Sequence, residues 1–238
     1  MGSTQAYALR LGFSVRDEGL IQQALVHSSW LHEHPDAARG HNERLEHLGD
    51  AVVNLAISQA LYERHPDDDE GDLSARRAAI VSAAGLARLA ARIGLGEMLM
   101  LGEGESQRDA RRRPSLLASS FEALAGALYL DVGFEPVRDW LVELASPELE
   151  AGTSVGALKS PKSRLQEHTQ RTSGERPVYR LMDTAGPDHE RSFRIEVTVG
   201  GEVLGVGEGQ SRRVAETAAA AQAMERLLSS GRSEAVGT

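Results

Sequence analysis

Apolar residues in the first part of the chain recur at helical spacing. Leu45, Leu48, Val52 and Leu55 lie three or four residues apart, which places them on one side of a helix. Alternation of the kind that predicts strands is absent up to about Leu144. We therefore predict that this part of the chain is all-helical.

The pattern changes after that point. Ser146 to Gly156 is small and polar, which predicts a linker. Beyond it, Phe193 to Val199 alternates apolar and polar residues, as in a half-buried strand. Gly200-Gly201 is a hairpin signal, Glu202 to Gly205 begins a partner strand, and Val178 to Met182 is a candidate first strand.

Helices are predicted on both sides of these strands. One begins near Pro161, since proline suits a first helical turn, and another runs from about Ser211 to Leu228. The order helix, three strands, helix gives an α+β (α-β-β-β-α) module, and the fold class is multidomain. The predicted bounds are residues 5–148 for the all-α domain, 149–159 for the linker and 160–229 for the α+β domain.

Composition narrows the class of protein. The 238 residues are 41% hydrophobic and 26% charged, which suits a packed core with a polar surface. The absence of cysteine excludes disulfides and thiolate metal sites. No apolar run looks long enough for a bilayer, and Met1 to Gln5 lacks the features of a secretory signal. We expect a cytoplasmic protein with no membrane segment.

The net charge of -9 is unevenly distributed. From Leu158 onward there are 12 Lys and Arg against 11 Asp and Glu, whereas the preceding residues carry 14 against 24. The first part is acidic enough to attract cations, and the second can approach phosphate groups. Charge alone does not indicate a nucleic-acid partner.

The most informative stretch is an acidic helix. Glu46 and Asp50 lie four residues apart and share one face with Glu43, and Asn42 is placed to cap the helix. Carboxylates clustered in this way repel one another, and a hard divalent cation relieves that repulsion. On spacing alone, a solvated acidic face is the more common explanation.

The residue string from Asn42 to Val52 resembles the signature of the ribonuclease III family. Further segments that resemble this family follow in the expected order: Ala24 to Ser29, Asp69 to Ser74, Arg76-Arg77, Arg113 to Ala118 and Phe121 to Asp131. The resemblance covers nearly the whole chain except its ends.

The resemblance implies a metal-dependent nuclease. Glu46, Asp50 and Glu122 would hold Mg²⁺, with Mn²⁺ as a possible substitute, and Asp50 and Glu122 would be catalytic. The metal would lower the pKa of a bound water and stabilise charge on the phosphate. Glu43 and Glu70 are candidates for a role in cleavage, although a solvated charge explains Glu70 equally well.

Two positions depart from the family pattern. Ser119 stands where the family has an aspartate ligand, so one strong metal contact is missing. His47 stands where the family has a phenylalanine that packs across a dimer interface. We still expect a homodimer. Ser119 opens an alternative, a catalytically impaired double-stranded-RNA-binding protein on the same fold.

The α+β module resembles a double-stranded-RNA-binding domain. Ser163, Gln166 and Glu167 share one face of its first helix and can meet ribose 2′-hydroxyls in the minor groove of A-form RNA. His189 lies in a loop between strands, where the resemblance implies a second minor-groove contact.

The start of the last helix supplies basic residues. Ser211 is a suitable N-cap, which places Arg212 and Arg213 at the positive end of the helix, where phosphates are favoured. A solvated first turn is the more common explanation of this motif alone. The run Arg111 to Arg113 can likewise touch phosphate or form a solvated loop.

Together these features imply an endoribonuclease that hydrolyses double-stranded RNA and leaves 5′-phosphates. The resemblance implies two sites in a dimer, with precursor ribosomal RNA and structured messenger RNA as substrates. A nuclease for DNA is disfavoured by the RNA-binding module.

Overall fold

The structure, a computed structural model, describes residues 4–36, 38–104, 110–151, 159–187 and 191–234. The chain divides into two compact units, Met1–Gly152 and Thr153–Thr238. Each unit has its own hydrophobic core.

The described part of the first unit is helical, as predicted, apart from an isolated parallel bridge between Val26 and Met100. A short 3-10 helix, Ala110–Arg112, precedes the eighth α-helix. The α-helices are α1 Thr4–Arg10, α2 Glu18–Leu25, α3 Ser28–Glu33, α4 Glu43–Arg64, α5 Glu70–Val81, α6 Ala83–Arg92, α7 Leu95–Met98, α8 Pro114–Val132, α9 Phe134–Leu144 and α10 Ser146–Glu150.

Helix α8 lies at the centre of this unit. Phe121, Leu124 and Leu128 are completely buried, and α8 packs against α2, α4 and α6. By length and composition it is long and apolar enough to cross a membrane, contrary to our expectation from the sequence. Its burial accounts for that apolar character, because the core helix of a globular unit is apolar on most sides.

The start of α4 differs from the prediction. Asn42 makes no side-chain cap; it is 3% exposed, and its backbone N–H donates to the carbonyl of Val26 at 2.9 Å. The Nδ1 atom of His41 accepts from the N–H of Glu43 at 3.4 Å instead. The prediction that the Asn42 side chain caps α4 is therefore wrong.

The predicted linker begins too early. Ser146–Glu150 is helical, Pro147 suits its first turn, and Leu149 is only 3% exposed in the core. Arg92 holds this helix through an ion pair with Glu148 at 2.6 Å. The small, polar composition of this segment resembles a linker. The buried side chain of Leu149 and the ion pair of Glu148 nevertheless stabilise it as a helix. Residues 152–158 lie outside the described residues.

The second unit has the predicted order of helix, three strands and helix, which confirms the fold class. The strands form an antiparallel sheet in the order β1-β2-β3. The elements are α11 Pro161–Thr172, β1 Val178–Ala185, β2 Ser192–Val199, β3 Glu202–Gly209 and α12 Arg212–Glu234.

Glycines set the geometry of this sheet at two places. Gly200 and Gly201 adopt φ values of +59° and +86° in the hairpin between β2 and β3, a conformation that side chains disfavour. A Cβ atom at Gly205 or Gly207 would overlap the backbone of α12 near Ala219. The last helix can therefore lie directly on the third strand.

Candidate active site

Two glycines bring the acidic helices together. A Cβ atom at Gly49 of α4 would overlap the carbonyl oxygen of Glu122 on α8, and one at Gly126 would overlap the carbonyl of Leu45. The two helices therefore cross nearly in backbone contact, which only glycine permits at these positions. Glu46 and Asp50 lie on α4 beside this crossing, and Glu122 lies beside it on α8.

The three carboxylates interact across this crossing. Burial, followed by the charges of Asp50 and then Glu46, raises the pKa of Glu122 from 4.5 to about 7. Glu46 and Glu122 are partly buried and Asp50 is exposed, so the group lies at the rim of the core. The geometry concentrates negative charge that no arginine or lysine neutralises by an ion pair in the described residues.

The carboxylates do not converge on a preformed ion site. Among the described residues, no group of three or more His, Cys, Asp or Glu side chains is close enough together to coordinate a metal. Like charges without a cation between them separate, so electrostatic coupling without convergence is the expected arrangement. The donor set of three carboxylates suits a hard cation such as Mg²⁺.

Ser119 lies three residues before Glu122 on α8, where it is partly buried. Its neighbour Ser120 is 1% exposed, and the Ser120 hydroxyl has no hydrogen-bond partner among the described residues. Neither serine supplies a negative charge to the carboxylate group.

Sequence reasoning missed Asn54. Its Nδ2 atom donates to Oδ1 of Asp50 at 2.8 Å and to the Asp50 carbonyl at 2.9 Å. The available signal was an amide one helical turn after a candidate ligand, a spacing that brings the two side chains together.

Glu43 and His47 line a groove of about 630 Å³ whose lining does not include Glu46, Asp50 or Glu122. The groove is also lined by Leu48 and by Leu130, which is 51% exposed. The cleavage role of Glu43 and the interface role of His47 stay predictions.

Glu70 occupies another groove, of about 790 Å³, beside the exposed side chains of Leu55 and Tyr62. Its Oε1 atom accepts a hydrogen bond from the hydroxyl of Ser74 at 3.0 Å. Neither Glu70 nor Glu43 is among the charges that raise the pKa of Glu122. Within one chain, the structure therefore does not bring these two glutamates into the carboxylate group.

The predicted RNA-facing residues of α11 are exposed. Ser163 and Gln166 lie open to solvent, and Ser163 Oγ shares a hydrogen bond of 2.9 Å with the cap residue Ser160. Glu167 is also exposed and pairs with Lys159 at 2.7 Å. His189 lies outside the described residues.

The start of α12 has the predicted cap, because the N–H of Val214 donates to Ser211 Oγ at 3.3 Å. Arg212 and Arg213 are exposed in the first turn. Backbone N–H groups and two guanidinium groups thus lie at one end of this helix, an arrangement that favours phosphate.

Arg111 does not belong to a solvated basic loop. Its guanidinium group donates to the carbonyl oxygens of Gly96 at 3.0 Å and Leu99 at 2.8 Å. Those carbonyls, near the end of the short helix α7, are left without helical partners and need a donor. The phosphate contact considered for the run Arg111 to Arg113 stays a prediction.

Comparison with known protein families matches both units. Residues 17–148 match the Ribonuclease-III-like family, and residues 161–227 match the double-stranded RNA binding motif. The chain belongs to the ribonuclease III family. It is an endoribonuclease whose second unit is a double-stranded-RNA-binding domain.

Full-length relatives agree with this assignment. Ribonuclease 3 of Bacillus licheniformis is 44% identical over 218 residues, which cover 92% of this chain and 87% of that protein. Ribonuclease 3 of Bacillus cereus strain G9842 is 42% identical over 218 residues, covering 92% and 89%.

Solved structures resemble the first unit. The nuclease domain of ribonuclease III from Campylobacter jejuni, in a study of flexibility in the region involved in dimer formation, has a TM-score of 0.54 at 32% identity and covers 60% of this chain and 95% of that chain. A crystal structure of the same domain has a TM-score of 0.53 at 31% identity, covering 65% and 98%.

Proposed function

We propose that this ribonuclease III is a divalent-metal-dependent endonuclease in which Glu46, Asp50 and Glu122 bind Mg²⁺. The observation that carries the proposal is the close crossing of α4 and α8 at Gly49 and Gly126, which brings Glu122 beside Glu46 and Asp50. The raised pKa of Glu122 reflects its burial and the charges of Asp50 and Glu46 at this crossing. A divalent cation neutralises such a group and takes oxygen ligands. Mn²⁺ is the expected substitute, because divalent affinity generally rises towards the transition metals.

The bound cation would supply a water of lowered pKa and stabilise negative charge on the scissile phosphate, leaving a 5′-phosphate product. The chain's own contribution is to hold ionised carboxylates at the rim of the core. Glu122 binds a cation only after it loses its proton, and burial beside Asp50 and Glu46 raises its pKa, so cation binding should weaken as the pH falls.

The second unit supplies the RNA affinity in this proposal. The exposed face of α11 with Ser163, Gln166 and Glu167 would lie on a minor groove, and Arg212 and Arg213 would contact phosphates. Such contacts recognise the A-form shape rather than a base sequence. Structured substrates such as precursor ribosomal RNA and structured messenger RNA fit this mode.

We propose a homodimer formed around the groove that His47 and Leu130 line. Half-exposed Leu130 beside Leu48 leaves apolar surface for a second copy to cover. Histidine fills less apolar volume than phenylalanine, so His47→Phe should tighten the dimer. Sedimentation equilibrium across protein concentration measures this, and a monomer at all concentrations would contradict it.

Ser119 favours a second candidate function, that of a double-stranded-RNA-binding protein with impaired catalysis. A neutral hydroxyl replaces the carboxylate that the family resemblance places three residues before Glu122. The retained Glu46, Asp50 and Glu122 argue against it, because a site without selection should lose more than one ligand.

One assay separates the candidates. The protein is incubated with long duplex RNA, single-stranded RNA and duplex DNA, each with Mg²⁺, Mn²⁺ or a chelator, and the products are separated on a gel. The proposed function predicts cleavage of duplex RNA alone, with either metal and none with chelator. If duplex RNA is bound but stays intact with both metals, the second candidate function, a double-stranded-RNA-binding protein with impaired catalysis, is supported instead.

A further inference from the structure

Both N–H groups of the Asn54 side-chain amide donate hydrogen bonds to Asp50. Asn54 Nδ2 donates to Asp50 Oδ1 at 2.8 Å and to the Asp50 carbonyl oxygen at 2.9 Å. The other carboxylate oxygen, Oδ2, accepts no hydrogen bond within the described parts of the chain. Asn54 thus holds one oxygen of an otherwise exposed carboxylate and leaves the second available.

We propose that Asn54 is a positioning residue that presents Asp50 to the divalent cation. The inference rests on the proposed function, in which Asp50 is a metal ligand. Asn54 would touch neither the cation nor the RNA, and would act only through the orientation of Asp50.

The chemistry of the amide supports this role. The NH₂ group of asparagine only donates, so both of its protons can hold oxygen atoms of Asp50 in place. An exposed aspartate without such a partner samples several rotamers, and ordering it on binding costs free energy. A second hydrogen bond to the backbone fixes the amide itself, so the carboxylate is oriented before the cation arrives.

The departure at Ser119 makes the orientation of Asp50 more important. With a neutral hydroxyl at that position, the carboxylate group has only Glu46, Asp50 and Glu122 to supply negative charge. Each remaining ligand then carries a larger share of the cation affinity. Partners that orient metal ligands typically change metal affinity or activity by about 10- to 100-fold.

A general stabilisation of the helix is the competing explanation, and α4 contains a matched control. Gln59 Nε2 donates to Glu63 Oε1 at 2.9 Å, another amide-to-carboxylate bond across four residues. Gln59 lies about 13 Å along the helix axis from Asp50. Gln59→Ala therefore removes the same kind of interaction from the same helix without touching the carboxylate group.

The test measures Mn²⁺ binding to the RNA-free protein by electron paramagnetic resonance, for the parent, Asn54→Leu, Asn54→Gln, Gln59→Ala and Glu122→Gln. Thermal unfolding in chelator checks that each variant is folded. We expect Asn54→Leu to weaken Mn²⁺ binding about tenfold, Asn54→Gln to recover part of this loss, and Gln59→Ala to match the parent. In cleavage assays, Asn54→Leu should raise the metal concentration needed for half-maximal kcat without changing the KM for RNA.

The outcomes separate this inference from the proposed function. Unchanged Mn²⁺ affinity in Asn54→Leu, with a large loss in Glu122→Gln, overturns the role of Asn54 and leaves the metal site standing. Unchanged affinity in both variants overturns the metal site and the inference together. An equal loss in Asn54→Leu and Gln59→Ala shows that only the stability of the helix matters, which also overturns the inference.

Discussion

The two units use glycine for the same purpose and obtain opposite results. In the first unit, Gly49 and Gly126 let two helices cross in near backbone contact. In the second, Gly205 and Gly207 let α12 lie directly on β3. The first crossing brings carboxylates together at the rim of the core, whereas the second contact packs Ala219 and Ala223 against the glycines of the strand.

The electrostatic consequence differs accordingly. At the first crossing, burial and two neighbouring charges raise the pKa of Glu122 to about 7, so close packing is linked to like-charge repulsion. In the RNA-binding unit, the candidate contact residues Arg212, Arg213 and Gln166 lie exposed on helix surfaces. Close packing there sets only the position of the helix that carries them.

This difference follows from the two tasks. In the proposed function, cleavage requires charged groups held in place before the substrate arrives, and the carboxylates would repel one another until a cation binds. Binding the shape of a uniform polyanion requires accessible donors and positive charges, which an exposed surface provides. The predictions that follow test whether the two tasks are separate.

The largest expected effect is the loss of cleavage in Glu122→Gln without loss of RNA binding. In the proposed function the amide cannot supply the negative charge that the cation requires, and the second unit supplies most of the RNA affinity. We expect kcat to fall at least about a hundredfold, roughly 2.7 kcal/mol of barrier. Gel assays measure cleavage, and titration with duplex RNA in chelator measures affinity. Residual kcat within about tenfold of the parent would show that the site is misassigned.

Much of the fold was predictable from the sequence. The alternation from Phe193 to Val199 and the Gly200-Gly201 pair predicted the hairpin, and helical spacing around Val52 predicted α4. These features are local, because the spacing of apolar residues within a short stretch of sequence shows which face of a helix or strand is buried. The linker prediction at Leu149 was wrong because the helix there depends on contacts with residues distant in sequence, which a local pattern does not show.

The site was predictable only in part. The spacing of Glu46 and Asp50 indicated a shared face, but nothing local showed that Glu122 would meet them, and only the family resemblance did. The raised pKa of Glu122 depends on a helix crossing between residues far apart in sequence. Choices among hydrogen-bond partners also escaped prediction, as Asn54 and Arg111 show.

The second prediction concerns the RNA-binding unit alone. Arg212→Ala combined with Arg213→Ala should weaken duplex-RNA binding and flatten its salt dependence, each lost phosphate contact lowering the log–log slope by about 0.9. At 0.15 M salt, two contacts correspond to about 2 kcal/mol, or roughly thirtyfold in affinity. Arg171→Ala, exposed in the last turn of α11, is the control. An unchanged slope across a salt titration would remove these arginines from the interface.

The third prediction returns to the first unit. Ser119→Asp restores a carboxylate three residues before Glu122, on the same side of α8. The added charge should lower the Mg²⁺ concentration for half-maximal cleavage about tenfold, equivalent to about 1.4 kcal/mol, with RNA affinity in chelator unchanged. Ser119→Ala separates the effect of the charge from loss of the hydroxyl. An identical Mg²⁺ dependence in parent and Ser119→Asp would show that another group already fills this position.

The last and smallest effect is on stability, and it tests the repulsion directly. The folded state holds the proton of Glu122 more tightly than the unfolded chain, with a pKa of about 7 against 4.5. The free energy of unfolding should therefore fall as the pH rises from 4.5 towards 7, and then level off. The pKa difference sets an upper bound of about 3 kcal/mol, which solvent screening of a partly exposed group reduces to about 1 kcal/mol.

Glu122→Gln has no such proton, so in chelator it should be more stable than the parent near pH 8 by about that amount and equal to it near pH 4. Denaturant unfolding of the first unit at several pH values measures this, with exposed Glu143→Gln as the control. A variant that is less stable than the parent at every pH would mean that Glu122 makes a favourable contact and that the carboxylates do not repel one another.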